Sequence, residues 1–469
     1  MATSTDDQPT ELRRVLGPKL LLLFIIGDIL GTGVYALTGQ VAAEVGGAAW
    51  LPFLVAFGVA LLTALSYLEL VTKYPQAAGA ALYVHKAFGI HLFTFMVAFT
   101  VMCSGITSAS TAARAFASNL AVGIDWKASN FEIMLIALGF MLLVAAINLR
   151  GVSEGVKTNV VLTLIELSGL LLVILVGFWA IAGGDADWGR VVAFETPDDK
   201  NVFLAVTTAT SLAFFAMVGF EDAVNMAEEC HEPNRIFPKI MLTGLGITGV
   251  IYLLVSICAV AVVPVGELAG NDTPLVTVVE RGAPDIPIDQ ILPFISMFAV
   301  ANSALINMLM ASRLLYGMSK QGIIPRSISK VSGRQTPWAA IVLTTALALG
   351  LIAYVSNAST EAVAILGGTT SLLLLAVFAV VNTAVLVLRK DRVDHSHFST
   401  AAPIAILGVI TCVYLVTPLS GRPAEQYEIA GVLLVIGLVL SVPMYLLSRR
   451  RGERLEVGSP DDLPPHDIP

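Results

Sequence analysis

Gly27-Asp28-Ile29-Leu30-Gly31-Thr32-Gly33-Val34-Tyr35 sits in the middle of an apolar run over residues 20–40. A second stretch of the same character, Phe214-Phe215-Ala216-Met217-Val218-Gly219-Phe220-Glu221-Asp222, sits inside the run 203–226. Each glycine in a helix interior costs about 1 kcal/mol relative to alanine. Gly27, Gly31 and Gly33 fall within seven residues, with the carboxylate Asp28 among them, so the first run is a poor continuous helix. Close helix packing on small residues is the plainer reading of Gly31 and Gly33. The matching break in the second run favours another: paired interruptions are how a membrane carrier builds a site at its midplane. An unwound turn offers N–H groups to a carboxylate and C=O groups to an ammonium or a metal cation, and a zwitterion needs both.

The rest of the chain sets these runs in a membrane. Of its 469 residues, 56% are hydrophobic and 13% charged. Soluble domains carry roughly 25% charge, so most of this surface must face lipid. Apolar runs recur near 20–40, 48–70, 92–115, 132–149, 159–182, 203–226, 239–263, 290–316, 338–356, 362–388, 402–418 and 428–447. Each is read as a helix crossing a hydrocarbon core of ~30 Å. Lys and Arg divide unequally between alternate loops, twenty-one on one side (Arg13 to Arg454) against five on the other, Lys127, Arg190, Lys200, Arg281 and Arg422. The rich side is cytoplasmic by the positive-inside rule. A multi-pass protein of about twelve helices, both termini in the cytoplasm, is expected. It divides into a cytoplasmic segment 1–19, a transmembrane domain 20–450 and a disordered tail 451–469 rich in Pro and Asp. The polar start, with Asp6 and Asp7, lacks the basic region and cleavage site of a signal peptide.

Other chemistry is scarce. Cys103, Cys258 and Cys412 lie in apolar runs and Cys230 in a polar loop, with no disulfide or metal pattern. The pair His395 and His397 sits beside Arg389, Lys390 and Arg392 and reads as a solvated loop. No H-E-x-x-H, G-x-S-x-G or Walker P-loop occurs, so neither an enzyme nor a nucleotide-driven pump is expected, and no cofactor or nucleic-acid partner. Three carboxylates, Asp28, Glu166 and Glu221, do lie within apolar runs, with Asp222 beside the last. A midplane charge costs at least about 2.5 kcal/mol on insertion scales, which makes each a functional candidate. Glu228, Glu229, Arg235, Arg313 and Arg326 read either as cytoplasmic ion pairs closing one state or as solvated loop charges.

Several stretches carry a family resemblance. Gly31-Thr32-Gly33 resembles a first-helix glycine signature. Ser66-Tyr67-Leu68-Glu69-Leu70, Tyr74-Pro75 and Ala78-Gly79-Ala80 resemble the loop after helix 2. Phe214 to Glu229 with Glu232-Pro233-Asn234-Arg235 and Pro238 resembles the sixth-helix signature. Ser312-Arg313-Leu314-Leu315-Tyr316-Gly317-Met318, Gly322, Pro325 and Thr336-Pro337-Trp338 resemble the loop between helices 8 and 9. Together they are similar to the amino acid–polyamine–organocation (APC) superfamily, above all its bacterial amino acid permeases and cationic amino acid transporters.

The resemblance implies an all-α integral membrane protein of the LeuT-type 5+5 inverted-repeat fold, helices 1 and 6 unwound at the midplane. Repeats at about 20–182 and 203–388 enclose the site, and extra helices at about 402–447 lie outside. It implies a secondary active amino acid transporter. The amides of Thr32 and Gly33, beside Gly31, would meet the substrate carboxylate. The carbonyls of Ile29, Phe215, Ala216 and Val218 would meet its ammonium, with Phe215 a gate or a packing aromatic. Ser104, Thr107, Met217 and Asn302 are looser candidates for side-chain selectivity. Glu166 falls where proton-coupled relatives carry lysine, and Asp28 where most carry a small residue. If their helices meet, the two acids are neighbours that cannot both ionise cheaply. Asp28, Glu166 and Glu221 are therefore the ion-coupling candidates, a proton before sodium. Glu221 has a second reading, as an acceptor for the broken backbone. A polyamine or other organic amine substrate, sodium coupling, and a non-transporting sensor stay open as alternatives.

Overall fold

The computed structural model describes residues 17–451 apart from 76–78, 151–154, 185, 199, 231, 321–325, 333–335 and 360. The expected N-terminal segment, up to residue 16, and the tail beyond Arg451 lie outside the described residues, as do the side chains of Glu228, Glu229 and Arg326.

Among the described residues the chain is helical, with only an isolated bridge between Gly46 and Phe194. The helices are α1 Pro18–Ile29, α2 Thr32–Val45, α3 Trp50–Lys73, α4 Gly79–Phe88, α5 His91–Gly123, α6 Asn130–Arg150, α7 Gly155–Gly183 and the short α8 Trp188–Val191. There follow α9 Val202–Ala213, α10 Pro233–Val262, α11 Val265–Leu268, α12 Pro274–Gly282, α13 Leu292–Lys320, α14 Trp338–Ala358, α15 Ala362–Leu388, α16 Ala402–Val416 and α17 Ala424–Arg451. Counting Pro18–Val45 and Val202–Asn225 as one span each, 11 helices among the described residues are long and apolar enough to cross a membrane. The run at 402–418, expected as a full span, is helical for 15 residues. That is ~22 Å at 1.5 Å per residue, short of the ~30 Å core. The helix stops at Val416 because Pro418 follows Thr417 and opens a 3₁₀ turn, Pro418–Ser420.

The outside of the bundle is apolar, as lipid requires. Leu175 is 66% exposed and Trp179 71%, both on α7, and Val439 is 62% exposed on α17. Inside, two apolar cores form. One gathers Ile25, Tyr35, Phe53, Phe214, Phe220 and Phe378 around α1, α3, α10 and part of α15. The other gathers Leu37, Phe99, Met141, Phe215, Met308 and Leu366 around α5, α6, α13 and α14. Neighbouring residues of α2 and of the 214–217 turn belong to different cores: Tyr35 and Phe214 to the first, Leu37 and Phe215 to the second. Both interrupted stretches therefore lie on the seam where the cores meet.

The α3 end is fastened to the loop after α15. The buried Lys73 donates to the carbonyls of Leu388 and Asp391 at 2.6 and 2.5 Å, capping the C-terminal end of α15 with a cation. Glu69 accepts from the Thr400 amide at 2.7 Å and pairs with Arg389 at 3.3 Å. The loop holding His395 and His397 is thus anchored, His395 Nε2 lying 3.1 Å from the Thr72 carbonyl oxygen.

Candidate functional site

The first interruption is two residues long. α1 ends at Ile29, and α2 starts at Thr32 with Gly31 as its N-cap. The second is longer. α9 ends at Ala213, a 3₁₀ turn covers Phe214–Met217, Val218 is extended, and a further 3₁₀ segment runs over Asp222–Glu229. Gly219 has φ +126°, a conformation that L side chains rarely adopt.

The two interruptions touch. A Cβ on Gly219 would lie 2.7 Å from the carbonyl carbon and oxygen of Asp28, and one on Gly33 would lie 2.7 Å from the Ala216 Cβ. A Cβ on Gly31 would likewise lie 2.6 Å from the Ser303 hydroxyl of α13. Two tyrosines fix the flanks. The Tyr252 hydroxyl of α10 donates to the Ile29 carbonyl, and the Tyr35 hydroxyl donates to the Glu166 carbonyl at 2.7 Å. Gly27 lets α1 lie against Thr163 of α7, one turn before Glu166. The helices carrying Asp28 and Glu166 do meet.

Beside the second break lies a cleft of about 380 Å³, part of it open solvent. Val218, Glu221 and Asp222 form one wall, Ser104 and Ser108 of α5 a second, and Asn307 of α13 a third. A continuous cleft runs on past Tyr67 and Asn225 to Ala80 and Ala81 of α4. Among the described residues, Lys, Arg and His are absent from the linings of both. On the opposite side the site is shut. Phe215, 5% exposed, packs close to Gly367 of α15, which also meets Leu37.

Buried acids are concentrated here. Glu221 Oε2 accepts from the Gly219 amide at 2.9 Å. The Asp28 backbone meets Gly219, two positions before Glu221. Glu166 is fully buried, and both its carboxylate oxygens, like Asp28 Oδ2, have no hydrogen-bond partner. Leaving such groups ionised and unpartnered is costly.

Not every expected residue faces the cleft. Ser104, Val218 and Glu221 line it. Thr32, its buried hydroxyl unpartnered, and Gly33 lie at the contact with Ala216. The Ile29 carbonyl is engaged by Tyr252. Met217 is buried in the first core, and Thr107 bonds Thr370 at 2.7 Å behind the cleft wall. Asn302 is 5% exposed with its amide nitrogen unpartnered, and its neighbour Ser303 is the residue that meets Gly31. Of the loop charges, Arg235 pairs with Glu232 at 3.8 Å, both exposed. Tyr35, Tyr252, Ser108, Asn307 and Ser303 escaped the sequence reading. A tyrosine in an apolar run needs a partner for its hydroxyl, and that is the signal available for Tyr35 and Tyr252.

A family model described as amino acid permease matches residues 16–440. Over 466 residues the chain is 26% identical to a branched-chain amino acid permease of Bacillus subtilis, covering 95% of each chain. It is 27% identical over 476 residues to a methylthioribose transporter of the same organism, covering 96% of this chain and 97% of that one. Human cationic amino acid transporter 4 is 30% identical over 274 residues, 54% of this chain and 42% of its own. The chain belongs to the amino acid permease family, a branch of the APC superfamily, and is a membrane transporter.

Proposed function

We propose that this protein is a secondary active transporter that moves an amino acid across the cytoplasmic membrane by alternating access, coupled to a proton. The observation that carries the reading is the meeting of the two interrupted segments, Gly219 against the Asp28 backbone and Gly33 against Ala216, beside a cleft lined by Ser104, Val218 and Glu221. Free backbone groups of both signs converge there, as a zwitterion requires. Thr32 and Gly33 amides, with Gly31 giving room, take the carboxylate. The carbonyls of Phe215, Ala216 and Val218 take the ammonium, Ile29 joining them when Tyr252 shares or releases it. Ser104, which lines the cleft, acts on the side chain. Phe215 is the outer gate.

The two breaks lie near the midplane of a 5+5 inverted repeat, α1–α7 forming the first half and α9–α15 the second, with α16 and α17 outside. Both termini are cytoplasmic, α16 and the 3₁₀ turn Pro418–Ser420 together completing the twelfth crossing. The cleft that opens past Ala80 and Ala81 then faces the cytoplasm, and this arrangement is inward-facing. Asp28, Glu166 and Glu221 form the coupling site. A proton is favoured because, among the described residues, the Glu166 carboxylate meets no hydrogen-bond donor, and protonation removes the charge outright, whereas sodium needs several further oxygens. The relatives that transport branched-chain and cationic amino acids support an amino acid as cargo.

The test is uptake by proteoliposomes of the purified protein under an imposed pH gradient and, separately, a sodium gradient. The panel holds neutral, cationic and anionic amino acids, a polyamine and methylthioribose. Accumulation of an amino acid driven by the pH gradient is the expected result. Accumulation under sodium alone overturns the proton assignment, and movement of methylthioribose or the polyamine alone overturns the amino acid.

A further inference from the structure

Arg422 is 7% exposed and sits in the bend between α16 and α17, where loop-charge counting assigns it simply to the outer side. Its guanidinium turns inward. Nε donates to the Leu415 carbonyl at 2.7 Å. Nη1 donates to the Gly368 carbonyl and to Gln426 Oε1, each at 2.8 Å. Nη2 donates to Ser371 Oγ at 2.9 Å and to the Ser211 carbonyl at 3.3 Å. Among the described residues no carboxylate pairs with it. Two of its acceptors, Leu415 and Ser211, lie in the last turns of α16 and α9, so the charge rests on the negative ends of two helices. Ser371 Oγ also donates to the Ser211 carbonyl, at 2.6 Å.

These partners surround the outer gate. Ser211 is one turn ahead of Phe215 on the same rod, and Gly368 adjoins Gly367, on which Phe215 packs. A methyl group on Gly368 would overlap Gln426, so α15 and α17 are also held at this point. Opening the outer side by parting the α9 end from α15 takes Phe215 away from Gly367 and Leu37. That movement pulls Ser211 away from Gly368 and Ser371, and one planar guanidinium with fixed donor directions cannot follow both.

We propose that Arg422 is the positioning residue of the outer gate: its bonds to α9 and α15 exist only while that gate is shut, and they set the balance between inward- and outward-facing states. The proposal rests on alternating access but not on the identity of the substrate. A ligand set that stabilises one state alone shifts the population by its own differential strength. A hydrogen bond from a charged donor, lost from the closed state only, is worth about ten-fold in that equilibrium.

The experiment reads both faces at once, without substrate. Cys103, Cys230, Cys258 and Cys412 are replaced by alanine, and single cysteines are placed at Leu37, under the outer gate, or at Ala81, on the inner cleft. A membrane-impermeant maleimide is applied from outside or from inside to oriented proteoliposomes. Arg422→Gln, and the milder Ser371→Ala, should raise outside labelling at position 37 about ten-fold and lower inside labelling at position 81. Arg422→Lys, which keeps the charge but loses the planar fork, should fall between parent and Arg422→Gln. Unchanged labelling at position 37 in Ser371→Ala and Arg422→Gln overturns the proposal. So does a parallel rise at both positions, which is the mark of general loosening. Because no cargo enters the assay, failure of the amino acid reading would appear in uptake and leave these rates untouched.

Discussion

Replacing Gly33 by alanine adds one methyl group where the two interrupted segments touch. Its carbon would stand 2.7 Å from the Ala216 Cβ and 2.8 Å from the Ala216 nitrogen. Carbon atoms in good contact sit about 3.5–4.0 Å apart, so α2 must move about 1 Å from the 3₁₀ turn. The obstacle is backbone, fixed between α9 and Val218, and no flexible side chain can swing aside. Overpacking of this kind costs about 1–3 kcal/mol, or about 5- to 140-fold in the population of the state that holds the contact. Initial uptake by proteoliposomes should fall by about that factor. Gly33→Val should abolish uptake, with the variant still inserted and monodisperse. Uptake by Gly33→Ala within two-fold of the parent would show that the breaks need not approach during transport, and the site would have to be moved away from α2.

Phe215→Ala should weaken substrate binding or let substrate leak down its gradient, while Phe215→Trp keeps function because a ring still covers Gly367; equal affinity and turnover in the alanine variant would reduce Phe215 to packing. Glu166→Gln imitates the protonated acid and should preserve substrate exchange while losing uphill accumulation under a pH gradient; accumulation like that of the parent would leave Glu166 structural. Lys73→Met removes the donor to Leu388 and Asp391 and should cost about 1.5–3 kcal/mol, seen as a lower thermal midpoint in detergent; an unmoved midpoint would mean that the α3–α15 fastening adds nothing to stability.

What the sequence exposes is what costs energy locally. Glycines and a carboxylate inside an apolar run contradict a helix wherever they fall, so the break at Leu30–Gly31 was legible from residues 27–35 alone. Contacts made across the fold left no such mark. Nothing in residues 214–222 says that Gly219 will rest on Asp28, or that Phe214 and Phe215 will enter different cores. Loop-charge counting reports the side of the membrane and not the direction of a side chain, so Arg422 read as an outer loop cation when it is buried among five acceptors. Hydropathy counted 402–418 as a full crossing because apolar character continues to Val416, while the end of the helix is set by Pro418. The candidate selectivity residues divided for a related reason. Ser104 and Thr107 lie only about 60° apart around one helix, yet Ser104 lines the cleft while Thr107 turns its hydroxyl to Thr370.

A transported molecule that binds between the two interrupted helices should shield a cysteine placed in the cleft. Ser104→Cys is nearly isosteric and lines the same cleft as Val218 and Glu221. In the protein freed of its native cysteines, the alkylation rate at position 104 is measured from the cytoplasmic side over a range of concentrations of the amino acid identified by uptake. Alkylation should slow with a half-maximal concentration matching the half-saturation of transport, and non-transported amino acids should give no protection. An alkylation rate that stays constant while transport saturates would place the substrate elsewhere.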